Sequence, residues 1–427
     1  MRREFGLIGV IVTVVGYVIG ASIFLLPGQL ASSVGPAVVI AYGLAAIIAL
    51  FACMSAAQIG SLYPKAGAGF IAISKLVSPL GGFLTIWLML AAYIFAIALI
   101  ASGFSEYFTE LFPAVNKQVA AYGVVLIFGI LNLGGAANLV KIQAVIVIAF
   151  MIALVAVSTG GLINTDTALL SPFIPSGFDA VIFAVVPAFF SYGGFMVVME
   201  MAGEIKNPAR NIPLGLAVSF IIVLLTYIAL SFALVGNIHW QDFATMNAPV
   251  SKLAEILFGG VGSTLITIAA VGAAATSVNA LILVASRDII ALANAGLAPL
   301  ILSPDNSATN SPALSGLVVM VLAVFSLMLG QTVMEYAVWV SAITLIYQAI
   351  IGVALLFVFK NAHEEYKKSH FKISEKWLIF WGLGSIIISL AFLVLVFQGN
   401  SGRTIGAVIY LILGIIYYLF QTKKGRA

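Results

Sequence analysis

The sequence predicts an all-α integral membrane protein with twelve transmembrane helices. Of its 427 residues, 63% are hydrophobic and only 8% are charged, whereas about 25% of the residues in soluble domains are charged. The apolar stretches reach roughly 20 residues, which is the length of a membrane-spanning helix, while strands of a membrane barrel would alternate over about 10 residues. We therefore expect residues 1–427 to form a single helical transmembrane domain.

The twelve predicted spans are joined by short loops. They cover about residues 5–32, 36–61, 83–110, 118–135, 139–162, 179–203, 212–236, 258–294, 313–329, 333–359, 376–398 and 403–421. With the amino terminus in the cytoplasm, all but three of the 19 basic residues fall on the cytoplasmic side, the exceptions being Lys117, Lys252 and Arg403. Because basic residues favour cytoplasmic loops, this asymmetry supports a multi-pass protein of the cytoplasmic membrane with both termini in the cytoplasm.

The first span contains a predicted interruption. Gly16, Gly20, Ala21 and Ser22 stand where an unbroken span would carry large aliphatic residues. Small residues permit unwinding, and unwound backbone is tolerated at membrane depth only inside protein or beside a cavity. A half-helix that begins near Ser22 would direct amide groups and the positive end of its dipole into that cavity, which suits a carboxylate. The carbonyl groups just before the break would suit an ammonium group or a metal cation.

A second interruption is predicted in the sixth span. Pro187 and the pair Gly193-Gly194 lie in its middle, and adjacent glycines mark a kink or break. The pair Gly81-Gly82, in contrast, falls between spans and is interpreted as a loop. Because the two breaks lie five spans apart, the second block of five enters the membrane with opposite polarity. This predicts an inverted repeat of residues 5–162 and 179–359 with a binding site at its interface, followed by two extra helices in residues 376–421.

Charged residues are scarce in the middle of the spans. Glu106, Glu110 and Glu335 fall near outer ends, and Glu200 and Glu204 near the inner end of the sixth span. An ion pore or a site for a strongly charged side chain would carry charges inside the membrane. The breaks offer donors for an anion beside acceptors for a cation, so the expected ligand is a zwitterion with a neutral side chain, which is to say a neutral amino acid.

Several other functions are disfavoured. His239, His363 and His370 fall in predicted loops, and Cys53 is the only cysteine. The sequence shows no catalytic constellation, metal cluster or phosphate-binding loop, so we do not expect an enzyme. The net charge of +4 follows from basic loops and does not indicate nucleic-acid binding. The expected partners are an amino acid as the small-molecule substrate and the lipid bilayer, with no obligate protein partner. A channel or a sensor that binds without transporting stays open as an alternative.

Several segments resemble the amino acid–polyamine–organocation superfamily. They are residues 19–24, 63–70, 189–195 and 204–213, together with Ser286-Arg287, residues 296–299 and Ser311-Pro312. The segment 204–213 is the most specific match, and the segments occur in the family's order. The resemblance implies a five-plus-five inverted repeat with broken helices 1 and 6. It also implies secondary active transport of an amino acid by alternating access.

The resemblance also implies roles for individual residues. The substrate carboxylate would bind amides near Ala21–Ile23, and the ammonium would face carbonyls of Ile19, Phe190 and Gly193. Phe190 stands where relatives close an aromatic ring over the substrate. Met196 stands where many relatives have an acidic residue, which weakens the case for a cationic substrate. The predicted substrate-binding residues are Ile19, Gly20, Ala21, Ser22, Ile23, Phe190, Ser191, Gly193, Phe195 and Met196.

Three kinds of coupling stay open: transport is coupled to sodium, is coupled to protons, or is uncoupled from any ion in an exchanger. Phe150 stands where some relatives carry a lysine linked to proton coupling. Sodium symporters of this fold use hydroxyls of span 8 with nearby carbonyls, and neutral oxygens suit such an ion. The corresponding candidate sodium ligands here are Gly16, Ile19, Ala273, Thr276 and Ser277. The alternative interpretation of the Thr276 and Ser277 hydroxyls is a structural role. Serine and threonine hydroxyls also donate hydrogen bonds to carbonyls of the preceding helical turn, or link neighbouring helices. No other cofactor is expected.

Overall fold

The computed structural model describes residues 5–65, 67–133, 139–303, 313–369, 371–398 and 401–424. Ser311-Pro312, His370 and one residue of the 63–70 segment lie outside these ranges. The helices are α1 Leu7–Ile19, α2 Ser22–Val34, α3 Val38–Leu62, α4 Ala68–Leu76, α5 Pro79–Leu111, α6 Lys117–Leu133, α7 Leu139–Ile163, α8 Gly177–Phe190, α9 Val197–Glu200, α10 Pro208–Val235, α11 Pro249–Asn294, α12 Ala313–Met328, α13 Val333–Leu356, α14 Val358–Asn361, α15 His363–Lys368, α16 Glu375–Phe397 and α17 Ser401–Lys424.

The described residues confirm an all-helical membrane protein. They contain eight helical stretches that are long and apolar enough to cross a membrane, and a ninth if the bent pair Gly177–Phe190 and Gly193–Glu200 is one span. Shorter apolar helices occupy Lys117–Asn132 and Leu314–Met328. One stretch, Leu7–Leu62, contains both the first and the second predicted span. The number of membrane crossings and the inverted repeat stay predictions.

The largest difference from the predicted boundaries is at the start of α11. Helix α11 begins at Pro249 rather than near residue 258, but Gly259 inside it has φ 69° and ψ −166°, which is not helical. The kink at Gly259 therefore separates a leading segment from the predicted span. Hydroxyl groups hold the two parts together, because Ser251 Oγ lies 2.8 Å from both Ser263 Oγ and Thr267 Oγ1.

The interpretation of Gly81-Gly82 as a loop is wrong, because both glycines lie in the first turn of α5. Ser78 caps this helix by accepting a hydrogen bond from the Gly81 amide at 3.0 Å. A Cβ atom at Gly82 would collide with the Ser74 side chain of α4. The glycine pair therefore permits α4 and α5 to pack closely, which is a common use of glycine in membrane helices.

The helices that carry the predicted breaks pack in the middle of the molecule. Helix α1 contacts α10 and the 3₁₀ segment Gly193–Met196, and α8 contacts α3 and α13. Helix α5 packs against α11 and α13. As a result α1, α5, α8, α11 and α13 contribute residues to one central cavity.

Candidate functional site

The first helix is interrupted at Gly20 and Ala21. Helix α1 ends at Ile19, Gly20 has φ 37° and ψ −134°, and α2 begins at Ser22. This backbone conformation favours glycine, and a Cβ atom at Gly20 would lie 2.8 Å from Ser277 Oγ. The first amides of α2 lack acceptors within the helix, although the Phe24 amide donates to the Ala21 carbonyl at 3.1 Å. The break therefore supplies backbone donors at the place that the sequence predicts.

A cluster of three tyrosines, Tyr42, Tyr192 and Tyr227, supports the first break from behind. The Ser22 hydroxyl donates to the Ile19 carbonyl at 2.9 Å and lies 2.6 Å from the Tyr227 hydroxyl. The Tyr227 ring stacks on Tyr42 with centroids 4.9 Å apart, and its centroid is 5.3 Å from that of Tyr192. Since Tyr192 belongs to the second interruption, the cluster links the two breaks. Sequence reasoning misses Tyr42 and Tyr227, which come from spans 2 and 7.

The second interruption follows Phe190. The helix bends by 41° between α8 and the segment Gly193–Glu200. The amides of Ser191 and Tyr192 bond to carbonyls three residues earlier, at 3.0 and 2.9 Å, instead of four. A Cβ atom at Gly194 would lie 2.8 Å from the Tyr17 carbonyl carbon and the Val18 nitrogen. The two breaks are therefore in direct backbone contact, and Gly194 makes that contact sterically allowed.

A cavity of about 110 Å³ lies between the breaks. One water needs roughly 10–15 Å³ of such volume, so the cavity has room for about seven to eleven waters, which is the scale of one small amino acid. Backbone of the two breaks forms one part of the wall. Apolar side chains form another part, and they include Ile86, Met89, Ala92, Ala96, Ile100, Leu281 and Val340.

Most of the predicted substrate-binding residues line this cavity, but three do not. The lining members of the set are Ile19, Gly20, Ala21, Ser22, Phe190, Gly193 and Met196. Ile23, Ser191 and Phe195 are fully buried and lie outside the lining. Phe195 packs against Phe220 with ring centroids 5.7 Å apart. Phe150 contacts Phe24 edge-on at 6.3 Å, so it supports α2 and does not face the cavity.

The candidate sodium ligands are only partly gathered at the cavity. Gly16, Ile19 and Ser277 line it, whereas the Thr276 hydroxyl donates to the carbonyls of Gly272 and Ala273, both at 3.0 Å. The carbonyls of Gly16 and Ile19 also accept hydrogen bonds, from the Gly20 amide and the Ser22 hydroxyl. Each carbonyl keeps a second lone pair, so sodium binding stays a prediction.

Two acidic side chains, Glu200 and Asp288, also line the cavity. Both line a second, larger cavity of about 660 Å³ as well, which reaches Phe5, Glu204 and Arg287. Sequence reasoning leaves Glu200 at the end of its span and misses Asp288. The available signal is an acidic residue inside a membrane-length helix, since such residues are costly and are mostly functional.

Comparison with known proteins agrees with these features. The profile of the family described as "Amino acid permease" matches residues 5–420. The branched-chain amino acid permease BcaP of Lactococcus lactis is 29% identical over 337 residues, covering 73% of this chain and 71% of its own. The BcaP of Bacillus subtilis is 27% identical over 325 residues, covering 70% and 69%. The chloroplastic cationic amino acid transporter 9 of Arabidopsis thaliana is 28% identical over 324 residues, covering 70% and 57%.

The match extends over nearly the whole chain and includes both helix breaks and the cavity between them. This family consists of transporters rather than enzymes, and the three relatives above are named as amino acid permeases or transporters. The chain is a multi-pass membrane protein that belongs to the amino acid permease family of the amino acid–polyamine–organocation superfamily.

Proposed function

We propose that the protein is a secondary active transporter of a neutral, aliphatic amino acid and that it works by alternating access. The observation that carries this proposal is the small cavity that is lined both by two contacting helix breaks and by apolar side chains. This arrangement offers separate places for the two charges and the side chain of one amino acid.

Substrate recognition would rest on the backbone. The amides at Ala21–Ile23 begin α2, where the helix dipole favours a carboxylate. The carbonyls of Ile19, Phe190 and Gly193 would accept from the ammonium group. The substrate side chain would then contact Ala92, Ala96 and their apolar neighbours, and burying it provides roughly 25 cal/mol for each Å² of apolar surface. Phe190 lies at the end of α8 and lines the cavity, and we propose that it covers the bound molecule.

Alternating access requires the broken helices to move relative to their neighbours. The contact of Gly194 with the backbone at Tyr17 and Val18 joins the two breaks at one point. We propose that this contact is the joint about which the half-helices tilt, in a twelve-span protein with a five-plus-five inverted repeat. The amino-terminal strand-like pairing of Phe5 with Ile205 connects the same two spans at the predicted cytoplasmic end.

The relatives support the choice of an aliphatic substrate without deciding it. Two are named for branched-chain amino acids and one for cationic amino acids. Met196 and the apolar wall favour the first class for this chain. Three couplings remain open, namely sodium through Thr276 and Ser277, protons, and uncoupled exchange.

Counterflow in proteoliposomes tests the proposal. Purified protein is reconstituted with one unlabelled amino acid inside, and uptake of the same labelled amino acid is measured for the whole set of common amino acids. We expect uptake with leucine, isoleucine or valine and little with lysine or glutamate. Saturable accumulation against a gradient would separate a transporter from a channel, and binding without uptake would identify a sensor. Absence of counterflow with every neutral amino acid would refute the proposal.

A further inference from the structure

Asp288 is a buried acid without a visible partner. Its side chain belongs to α11 and the residue is only 8% exposed. No hydrogen bond or ion pair joins its carboxyl group to another residue in the described part of the chain. A buried and unpaired carboxylate is unfavourable, so such a group takes up a proton or a cation. Asp288 lines both the central cavity and the second cavity, so a small ion can reach it from either one.

Glu200 is the acidic neighbour, and its surroundings are different. Its carboxylate lies over the amino-terminal end of α4, where Cβ atoms at Gly67 and Gly69 would stand 3.8 Å from Oε2 and 3.6 Å from Oε1. The first amides and the positive dipole end of a helix stabilise a negative charge. The Tyr347 hydroxyl approaches the same glycine, Gly69. The environment of Glu200 therefore favours its ionised form more than the environment of Asp288 does.

Other titratable groups face the same two cavities from the helices around them. They are Tyr17 of α1, Tyr93 of α5, Glu204, Arg287 of α11 and Tyr347 of α13. Arg287 lies 3.9 Å from a Glu204 oxygen, so its guanidinium is already engaged by one carboxylate. One guanidinium and three carboxylates therefore line the two cavities, and two negative charges would stay uncompensated if all of these groups were ionised. Repulsion between close carboxylates favours a proton on one of them.

We propose that Asp288 binds the proton that is coupled to substrate transport, with Glu200 as its fixed negative partner; this inference rests on the transport function proposed above. When the second cavity is open, Asp288 exchanges its proton with water there. When the passage closes around it, an ionised Asp288 would be left in a dry, apolar place, so closure requires the neutral form. Only the O–H bond of the carboxyl group forms and breaks, and the proton passes between the waters on the two sides.

The surroundings fit a proton better than a divalent metal ion. A divalent metal would need several oxygen ligands in a shell, and the described residues contain no group of three or more His, Cys, Asp or Glu side chains that could hold one. The remaining neighbours of the pair are largely apolar, among them Ile86, Val197 and Ala280. A shared proton needs no such shell.

The experiment counts protons moved per leucine. Protein is reconstituted in liposomes that contain the pH indicator pyranine, and entry of labelled L-leucine and of protons is recorded together, with sodium present or replaced by choline. For the wild type we expect about one proton per leucine with either cation. For Asp288→Asn we expect the ratio to fall at least tenfold, and for Asp288→Glu we expect it to recover.

Two further variants sharpen the test. Glu200→Gln removes the neighbouring charge, so Asp288 should hold its proton less tightly and half-maximal proton-driven uptake should move to a more acidic pH. Glu110→Gln, which changes an exposed carboxylate at the end of α5, should keep the wild-type ratio and pH profile. Leucine uptake without proton entry in the wild type overturns the inference even if no variant folds, as does a wild-type ratio in Asp288→Asn. In both cases leucine counterflow still stands, whereas absence of counterflow with every neutral amino acid in the wild type refutes the transport function itself.

Discussion

Gly193 and Gly194 are adjacent, yet the structure gives them opposite roles. A Cβ atom at Gly193 would meet nothing within 4 Å, because this glycine faces the cavity. A Cβ atom at Gly194 would lie 2.8 Å from the Tyr17 carbonyl carbon and 2.9 Å from the Tyr17 oxygen. Neither glycine has a positive φ, so alanine is conformationally acceptable at both positions. The variants Gly193→Ala and Gly194→Ala therefore differ only in what the new methyl group contacts.

The expected magnitudes follow from these contacts. Carbon atoms pack at about 3.5–4.0 Å, so Gly194→Ala requires the backbones of the two breaks to separate by roughly 0.7–1.2 Å. Overpacking of this kind costs about 1–3 kcal/mol, and a displacement of about 1 Å at a binding site can reduce activity about 100-fold. Gly193→Ala removes one methyl volume from the cavity and should be neutral or stabilising by up to about 1 kcal/mol, because alanine restricts the unfolded chain.

The assay is counterflow of alanine and of leucine in proteoliposomes, with thermal unfolding in detergent as the stability measurement. We expect Gly194→Ala to lower the unfolding temperature and to weaken transport of both amino acids. We expect Gly193→Ala to keep the wild-type unfolding temperature and alanine transport while it weakens leucine transport. Equal behaviour of the two variants, or a loss of stability in Gly193→Ala alone, would refute the placement of the cavity and of the contact.

Three other substitutions test the surroundings of the first break. Gly20→Leu forces a side chain onto a residue with positive φ beside Ser277, so it should abolish leucine binding measured by calorimetry. Normal leucine binding by this variant would refute the placement of the site. Tyr227→Phe removes the 2.6 Å contact with Ser22. A buried hydrogen bond contributes about 0.5–1.5 kcal/mol to stability, so the free energy of unfolding should fall by that amount, and an unchanged stability would argue against support from the tyrosine cluster. Thr276→Ala with Ser277→Ala should abolish any sodium stimulation of uptake, and sodium stimulation that persists would exclude these hydroxyls as ligands.

The breaks were predictable because small residues inside an apolar span are a local signal. Gly20 and the pair Gly193-Gly194 are visible in the sequence, and the structure bends the chain at both places. Which glycine of the pair contacts α1 depends on helix packing, so no spacing rule distinguishes Gly194 from Gly193. Helix packing also explains why the interpretation of Gly81-Gly82 as a loop is wrong, because the role of this pair depends on its contact with Ser74 of the preceding helix.

The partners of the site were harder to predict because they come from distant spans. Tyr42 and Tyr227 are ordinary aromatic residues in apolar helices until folding stacks them behind Ser22. Asp288 is visible as an acid within a span, but its isolation depends on how the neighbouring helices bury it. Sequence patterns thus predict where backbone groups become available, whereas tertiary packing decides which side chains reach them.

The acidic pair does not by itself make the site suitable for a cationic amino acid, because Asp288 is far from the first break. Ser277 lies beside Gly20, and Asp288 is eleven residues further along α11, a separation of about 16 Å at 1.5 Å per residue. A lysine side chain extends only about 6 Å over its four-carbon stem. If its α-carboxylate and α-ammonium groups are held at the break, lysine would place its side-chain ammonium among apolar residues, short of Asp288. We therefore expect lysine to compete with labelled leucine at least tenfold more weakly than isoleucine does, and equal competition would show that the acidic pair contacts the substrate.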